Sequence, residues 1–455
     1  MAQQVDVVVV GLGVGGESVA GQLAEAGLSV VGVESKLVGG ECPYWGCIPS
    51  KMMIRAANLL AEAGRVDGMA GHAEATPDWA PVADRIRDEA TTDWNDQIAV
   101  DRFTGKGGTF VRGRARVTGP RSVAVDGETY VASRGIVLAT GTVPVIPPID
   151  GLAETPYWTN RDVAEAKTLP ASMLVLGGGA IGLEIAQAYA RFGVTVTVVE
   201  ALDRLLPLEE PESSALAGDA LAADGITVHT GSRATAARHD GAQFTVTIDG
   251  STELAAEELL VAVGRRPDMR GLGIDQMGLD PNARMLEVDE QMRVTDGVWA
   301  VGDVTGHGAF THVATYQADI ATRDILGTPG PGADYRVLPR VTFTDPEIGS
   351  AGLTEAAARE AGIDVATGLA QVQYSARGWI HKAGNEGLIK LVLDRSAGVL
   401  VGATSAGPVG GEVLSALALA VHAKIPVETL RHMIYAYPTF HRGIEDAIRD
   451  LGSTT

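Results

Sequence analysis

Both cysteines of the 455-residue chain fall within one stretch, GGECPYWGCIPSK, running from Gly39 to Lys51. Cys42 and Cys47 are separated by Pro-Tyr-Trp-Gly. Free cysteine is commonly a small buried hydrophobe with no chemistry of its own. These two are the only ones, they lie close together, and they follow a glycine-rich turn, which favours a redox pair. A thiol near the start of a helix becomes a usable thiolate, because the helix dipole lowers its pKa. A zinc site needs about four ligands, and neither a histidine nor a third cysteine lies nearby.

A redox pair needs an electron source. Val5 to Glu34 reads as a buried strand, a glycine turn, an amphipathic helix and a second strand ending in glutamate. Ala171 to Glu200 repeats that plan. Gly11, Gly13 and Gly16 form G-x-G-x-x-G between strand and helix, and Gly177, Gly179 and Gly182 form it again. The first glycine permits the tight turn, the second lets a pyrophosphate approach, and the third lets helix and strand pack. The helix N-terminus then offers N–H groups to the phosphates. Glu34 and Glu200 follow their motifs at equal spacing, where a carboxylate accepts hydrogen bonds from a ribose. Two dinucleotide sites in one chain point to a bound flavin and a diffusing nicotinamide. The charge of Glu200 repels a 2′-phosphate and favours NADH over NADPH, whereas Arg204, four residues on, works the other way.

The bulk composition suits this reading. At 45% hydrophobic and 20% charged residues, the chain can bury a sizeable core. A net charge of −21 argues against nucleic acid or an anionic membrane as partner. No basic segment with a cleavage site opens the chain, and the apolar stretches are far short of the ~20 residues that span a bilayer. A cytoplasmic protein is expected, and there a cysteine pair is more often catalytic than structural. Residues 79–150 mix a helix with short alternating strands. Residues 226–264 read as strands turning at Asp240–Gly241 and Asp249–Gly250. The Gly- and Pro-rich stretch from Gly327 to Pro339 reads as a linker into a final unit.

With these motifs in place, the chain resembles the class I pyridine nucleotide–disulfide oxidoreductases almost end to end. GGECPYWGCIPSK is similar to the family's active-site stretch. IVLATGTVPVIP from Ile136, containing Thr140 and Gly141, resembles its interdomain ATG segment. LLVAVGRRPD, containing Gly264, resembles the strand closing the nicotinamide domain, and VWAVGDVTG, containing Asp303, the second FAD motif. VTFTDPEIGSAGLTE from Val341 is similar to the entry of the dimerisation domain. The resemblance implies an α/β protein with two Rossmann-like dinucleotide-binding domains, for FAD and NAD(P), plus a C-terminal α+β dimerisation domain. The expected limits are 1–150 with 270–335 for FAD, 151–269 for NAD(P), and 336–455 for dimerisation. It further implies a homodimer, with FAD reduced by NADH (or NADPH). Cys47 would face the flavin and Cys42 would attack a small-molecule acceptor. Lys51 would lie near the flavin and pair with Glu184, since a buried pair keeps both partners charged. Asp303 would hold the ribityl chain.

The C-terminal segment departs from the family. Its disulfide reductases end in H-P-T-x-x-E, where the partner chain's histidine moves the proton of the outer thiol. Here AYPTFHRGIEDA places Tyr437 at the histidine position and Arg442 at the glutamate position. Histidine titrates near pH 6.5 and tyrosine near 10, so Tyr437 donates a hydrogen bond but accepts a proton poorly at neutral pH. Losing a positioned base costs ~10²–10⁴ in rate. His441 and Glu445, four apart, would form a displaced pair if both lay on one helix. Mercuric reductase also has tyrosine here, but it adds a C-terminal cysteine pair that this chain lacks. The leading expectation is therefore a flavin- and NAD(P)H-dependent oxidoreductase with a working Cys42–Cys47 pair and an unusual acceptor. Direct electron transfer from flavin to a quinone, a mercuric-reductase-like reduction of a metal ion, and a non-catalytic flavin-holding subunit are the alternatives.

Overall fold

The computed structural model describes residues 2–452. The valine run after Gln3 forms β1 (Gln3–Val10), and its side chains alternate between two buried faces. Val7 and Val9 enter one core, Val8 and Val10 another. A strand buried on both faces belongs inside a parallel sheet. β1 is flanked by parallel β2 (Val30–Glu34) and β4 (Glu128–Leu138), with β3 (Thr109–Arg112) beyond β2. Helix α1 (Val14–Glu25) makes the crossover from β1 to β2. Two helices then carry the cysteines, the short α2 (Glu41–Tyr44) and the long α3 (Cys47–Gly64).

The second sheet repeats the scheme. After helix α4 (Asn160–Glu165), strand β5 (Ser172–Leu176) lies between parallel β6 (Thr195–Val199) and β7 (Glu258–Val261). Helix α5 (Ala180–Arg191) links β5 to β6, and α6 (Pro211–Ala223) follows. Met173 and Val175 face one core while Leu174 and Leu176 face the other. Three antiparallel strands between Ala234 and Ala256 turn at the two Asp-Gly pairs. The chain then returns to the first sheet as β8 (Val298–Ala300), parallel to β4, and continues into α7 (Thr311–Leu326), which packs on α1.

The last unit is a five-stranded antiparallel sheet. Its strands β9 (Arg340–Thr342), β10 (Glu347–Gly352), β11 (Val365–Gln371), β12 (Leu388–Asp394) and β13 (Val399–Gly407) lie in the order β9-β10-β13-β12-β11. Helix α8 (Glu355–Glu360) follows β10, and α9 (Gly410–His422) and α10 (Gly443–Asp450) follow β13. Leu414 and Leu417 of α9 join Ile389 and Leu391 of β12 in one core, so α9 is chiefly a core helix. Leu419 on the same helix stays exposed. Among the described residues, no helix is long and apolar enough to cross a membrane.

Candidate active site

The two glycine motifs are built alike. Gly11 and Gly177 both have positive φ, and a side chain on either would strike a carbonyl of the neighbouring strand end, Ala139 or Ala262. A side chain on Gly16 or Gly182 would strike the carbonyl of the first glycine in its motif. Gly179 has open space beside it and Gly13 nearly so. The open middle position is what a pyrophosphate requires of the backbone. Glu34 closes the first cradle, accepting from the amides of Leu12 at 2.8 Å and Lys36 at 2.7 Å. Glu200 does the same for the second, accepting from Gly178 at 2.6 Å and Leu202 at 2.7 Å. Arg204 turns away from this carboxylate. Its guanidinium donates to the carbonyls of Leu206, Pro207 and Glu209.

Further polar groups converge on the first cradle. The hydroxyl of Thr140 is buried with no partner, a fit for a polar ligand group. Gly141 beside it has φ +63°. Burial raises the carboxyl of Asp303, against the lowering pull of a 2.8 Å hydrogen bond from Thr142 and the charge of Arg265. Gly264, at φ +122°, precedes Arg265, whose guanidinium donates to Thr142 Oγ1 at 2.9 Å. An orphaned hydroxyl, an open glycine and a carboxylate that accepts ribose hydroxyls together suit a flavin dinucleotide.

Cys47 is the first residue of α3, at the end where that helix leaves its N–H groups unpaired. Cys42, one short helix earlier, hydrogen-bonds it, and both are free thiols. The Cys47 thiol is held down to about 6, first by the Cys42 hydrogen bond and then, against burial, by Thr311 and the charge of Lys51. Cys42 is pushed up by its hydrogen bond to Cys47 and by burial. Lys51 lies one helical turn beyond Cys47, and its Nζ is 2.7 Å from Glu184 Oε2. Glu184 is buried on α5, and its other oxygen accepts from the Phe343 amide at 2.8 Å. The ring of Phe343 lies under the Lys51 ammonium, 4.6 Å away.

A clamp holds the loop between the cysteines. Glu41 accepts from Arg161 Nε at 2.9 Å, and the Arg161 guanidinium stacks 4.3 Å over Trp45. Trp45 donates to Glu165 at 2.7 Å, and its carbonyl accepts from Asn160 at 2.9 Å. Arg161, Phe343 and Thr311 were not singled out from the sequence. Each reaches the site from a segment distant in the chain, and Phe343 lies in the quoted stretch from Val341 without its position marking it as a neighbour of Lys51.

The C-terminal residues are arranged differently from the displaced pair considered above. Helix α10 begins at Gly443, so His441 precedes it and does not share a helical face with Glu445. Glu445 is ion-paired with Arg442 at 3.0 Å and with Arg449. His441 instead lies against the ring of Tyr435. Tyr437 is 69% exposed, with the Arg442 guanidinium 5.4 Å from its ring centre.

Two dinucleotide cradles and a thiol pair at a helix start define a class of two-electron oxidoreductase. The pyridine nucleotide-disulphide oxidoreductase model matches residues 5–318, and the dimerisation-domain model of the same family matches residues 338–448. The chain belongs to this family, and it is an oxidoreductase that uses FAD and a nicotinamide dinucleotide. It is 33% identical to a dihydrolipoyl dehydrogenase of Halobacterium salinarum, covering 97% of this chain and 95% of that one. It is 34% identical to a mercuric reductase of Streptomyces lividans, covering 98% and 96%. Among solved structures, the HOCl-induced flavoprotein disulfide reductase RclA from Escherichia coli matches with a TM-score of 0.86 at 26% identity, covering 98% and 99%. A structure of that reductase as a Cu(II) complex matches equally well.

Proposed function

We propose that this chain is a cytoplasmic, homodimeric, NADH-dependent flavoenzyme. It passes two electrons through Cys42 and Cys47 to a small acceptor that needs no histidine at the sulfurs, and a thiophilic metal ion is the acceptor class. The carrying observation is the Cys42–Cys47 pair at the start of α3, where the Cys42 hydrogen bond lowers the Cys47 thiol, combined with Tyr437 and Arg442 at the family's histidine and glutamate positions. FAD in the first cradle supplies two-electron exchange between a nicotinamide and a disulfide. Gly13 would leave room for its pyrophosphate, Glu34 would accept from its ribose, and Asp303 with Thr142 would hold its polar chain. Lys51, ion-paired with Glu184, favours negative charge at Cys47. Cys42 is the outer thiol that meets the acceptor. A metal ion leaves the sulfurs without taking a proton from the enzyme, so the missing base costs little. The names of two relatives agree with this class, one a mercuric reductase and one solved as a Cu(II) complex. The dimerisation-domain match supports the homodimer.

The test follows NADH oxidation by the purified flavoenzyme with Cu(II), Hg(II), lipoamide and a quinone as separate acceptors. Metal reduction should exceed lipoamide reduction, and Cys42→Ser should lower it by about 10²-fold or more. Undiminished turnover in Cys42→Ser would move the chemistry to direct transfer from the flavin and sink the dithiol reading.

A further inference from the structure

The start of α4 grips the cysteine loop from outside it. A reciprocal cap fixes that start: Thr159 Oγ1 accepts from the Arg161 amide at 3.3 Å, and Asp162 accepts from the Thr159 amide at 2.7 Å. From this ordered turn Arg161 holds two loop residues at once. Its Nε donates to Glu41, the residue before Cys42, at 2.9 Å. Its guanidinium lies 4.3 Å from the ring centre of Trp45, three residues after Cys42. Asn160 and Glu165 of the same helix hold the Trp45 carbonyl and indole N–H at 2.9 Å and 2.7 Å. Cys47 is fixed separately, as part of α3. The loop is held in this way with both thiols free.

We propose that Arg161 is a positioning residue for the thiol pair: it orders the Glu41–Trp45 loop in the dithiol form, and so makes the disulfide easier to close and harder to reduce. The inference rests on the dithiol reading above. A disulfide tolerates only a narrow range of Cα and Cβ separations. A loose loop must be ordered when the bond forms, and that entropy favours the dithiol. A loop already ordered has less freedom to lose, so the effective concentration of Cys42 at Cys47 is higher. Reduction by a dithiol reagent breaks one S–S bond and passes two electrons and two protons to the protein sulfurs. The reagent closes into its own cyclic disulfide. Charge alone would act with the opposite sign. A cation acting on the sulfurs stabilises thiolate and hence the reduced form, so its loss would favour the disulfide. The direction of the shift therefore separates loop ordering from charge.

The experiment equilibrates the flavin-loaded enzyme anaerobically with graded ratios of reduced to oxidised dithiothreitol. After acid quenching and alkylation, peptide mass spectrometry reads the fraction of Cys42–Cys47 disulfide. Arg161→Ala should lower the equilibrium constant for the disulfide by about tenfold, a potential about 30 mV less negative, at unchanged flavin content. In that variant Glu41 still meets Arg265 at 3.6 Å, so its carboxylate is not left without a cation. Arg161→Lys keeps the charge pair with Glu41 and should stay within about threefold of the parent. Trp45→Leu serves where the alanine enzyme does not retain flavin, and it should shift the potential the same way. A potential that stays put or becomes more negative in the alanine or leucine variant would overturn the proposal. So would a lysine variant shifted as far as alanine. The readout needs no acceptor. A parent that forms no Cys42–Cys47 disulfide would sink the dithiol reading and this inference with it, whereas an unmoved potential would sink this inference alone.

Discussion

At Cys47 one ammonium adds to what two hydrogen bonds do. The Lys51 charge lies one turn along α3, held by Glu184, and it adds to the Cys42 and Thr311 hydrogen bonds that bring the thiol to about 6. The sign follows directly. The folded value lies below the ordinary 9.0, so thiolate persists down to about pH 6. The stability it contributes is complete above the unfolded value and is lost as pH falls through the folded one. Thiolate absorbance of the reduced protein should rise with a midpoint near pH 6, and Lys51→Met should move that midpoint upward by about one unit. A midpoint that stays put in Lys51→Met would remove the lysine from the account. The cysteines and Lys51 were legible because their spacing in one segment is itself the signal. The arrangement of Glu445 was not, because it depends on where a helix starts: at Gly443, two residues after His441.

At the scale of elements, a nicotinamide dinucleotide in the second cradle would meet the turn after β6. Glu200 is buried at the strand end with both oxygens bonded to backbone amides, so it cannot swing aside for a phosphate. Arg204, which the sequence left as a counterweight, is committed to three carbonyls of the loop before α6. A second phosphate would meet a fixed carboxylate with no arginine turned toward it. NADH should therefore be preferred over NADPH by about tenfold or more in kcat/KM, and Arg204→Ala should disturb the loop without reversing that preference. Equal use of both nucleotides would contradict this geometry. The βαβ units were readable because buried valine runs and glycine turns are strong local patterns. The helix Gln97–Gly105 was not singled out, since its sequence QIAVDRFTG buries only Ala99 and Phe103. The clamp on Trp45 was equally hidden, because Arg161 and Glu165 lie on α4, far along the chain.

Across the whole molecule, one of the ties between the third unit and the second is a buried lysine. Lys390 on β12 is 4% exposed and meets Glu210 at 3.1 Å, Glu212 at 2.8 Å and Glu355 at 3.0 Å. Burial works against its charge, yet the three carboxylates raise its pKa above the ordinary lysine range. Glu210 and Glu212 stand at the start of α6 and Glu355 at the start of α8, so three elements share one cation. Arg340 adds a parallel tie to Glu209 at 2.6 Å. Removing one partner of a buried ionic cluster is costlier than never having built it, because the remaining charges stay desolvated. Lys390→Met should therefore destabilise the fold by about 3–5 kcal/mol, read as a fall of several degrees in the temperature of flavin release. Adding Glu210→Gln should restore part of the loss, since it relieves the repulsion left behind. Glu355 is held below the usual carboxylate range, first by its hydrogen bond from Lys390 and then by Arg359. Its share of the stability is present above the unfolded carboxylate value and vanishes as pH falls through the folded one. The gap between parent and Lys390→Met should accordingly narrow in acid. A gap that is constant with pH, or a double variant no better than the single, would show that the lysine acts by packing and not by charge.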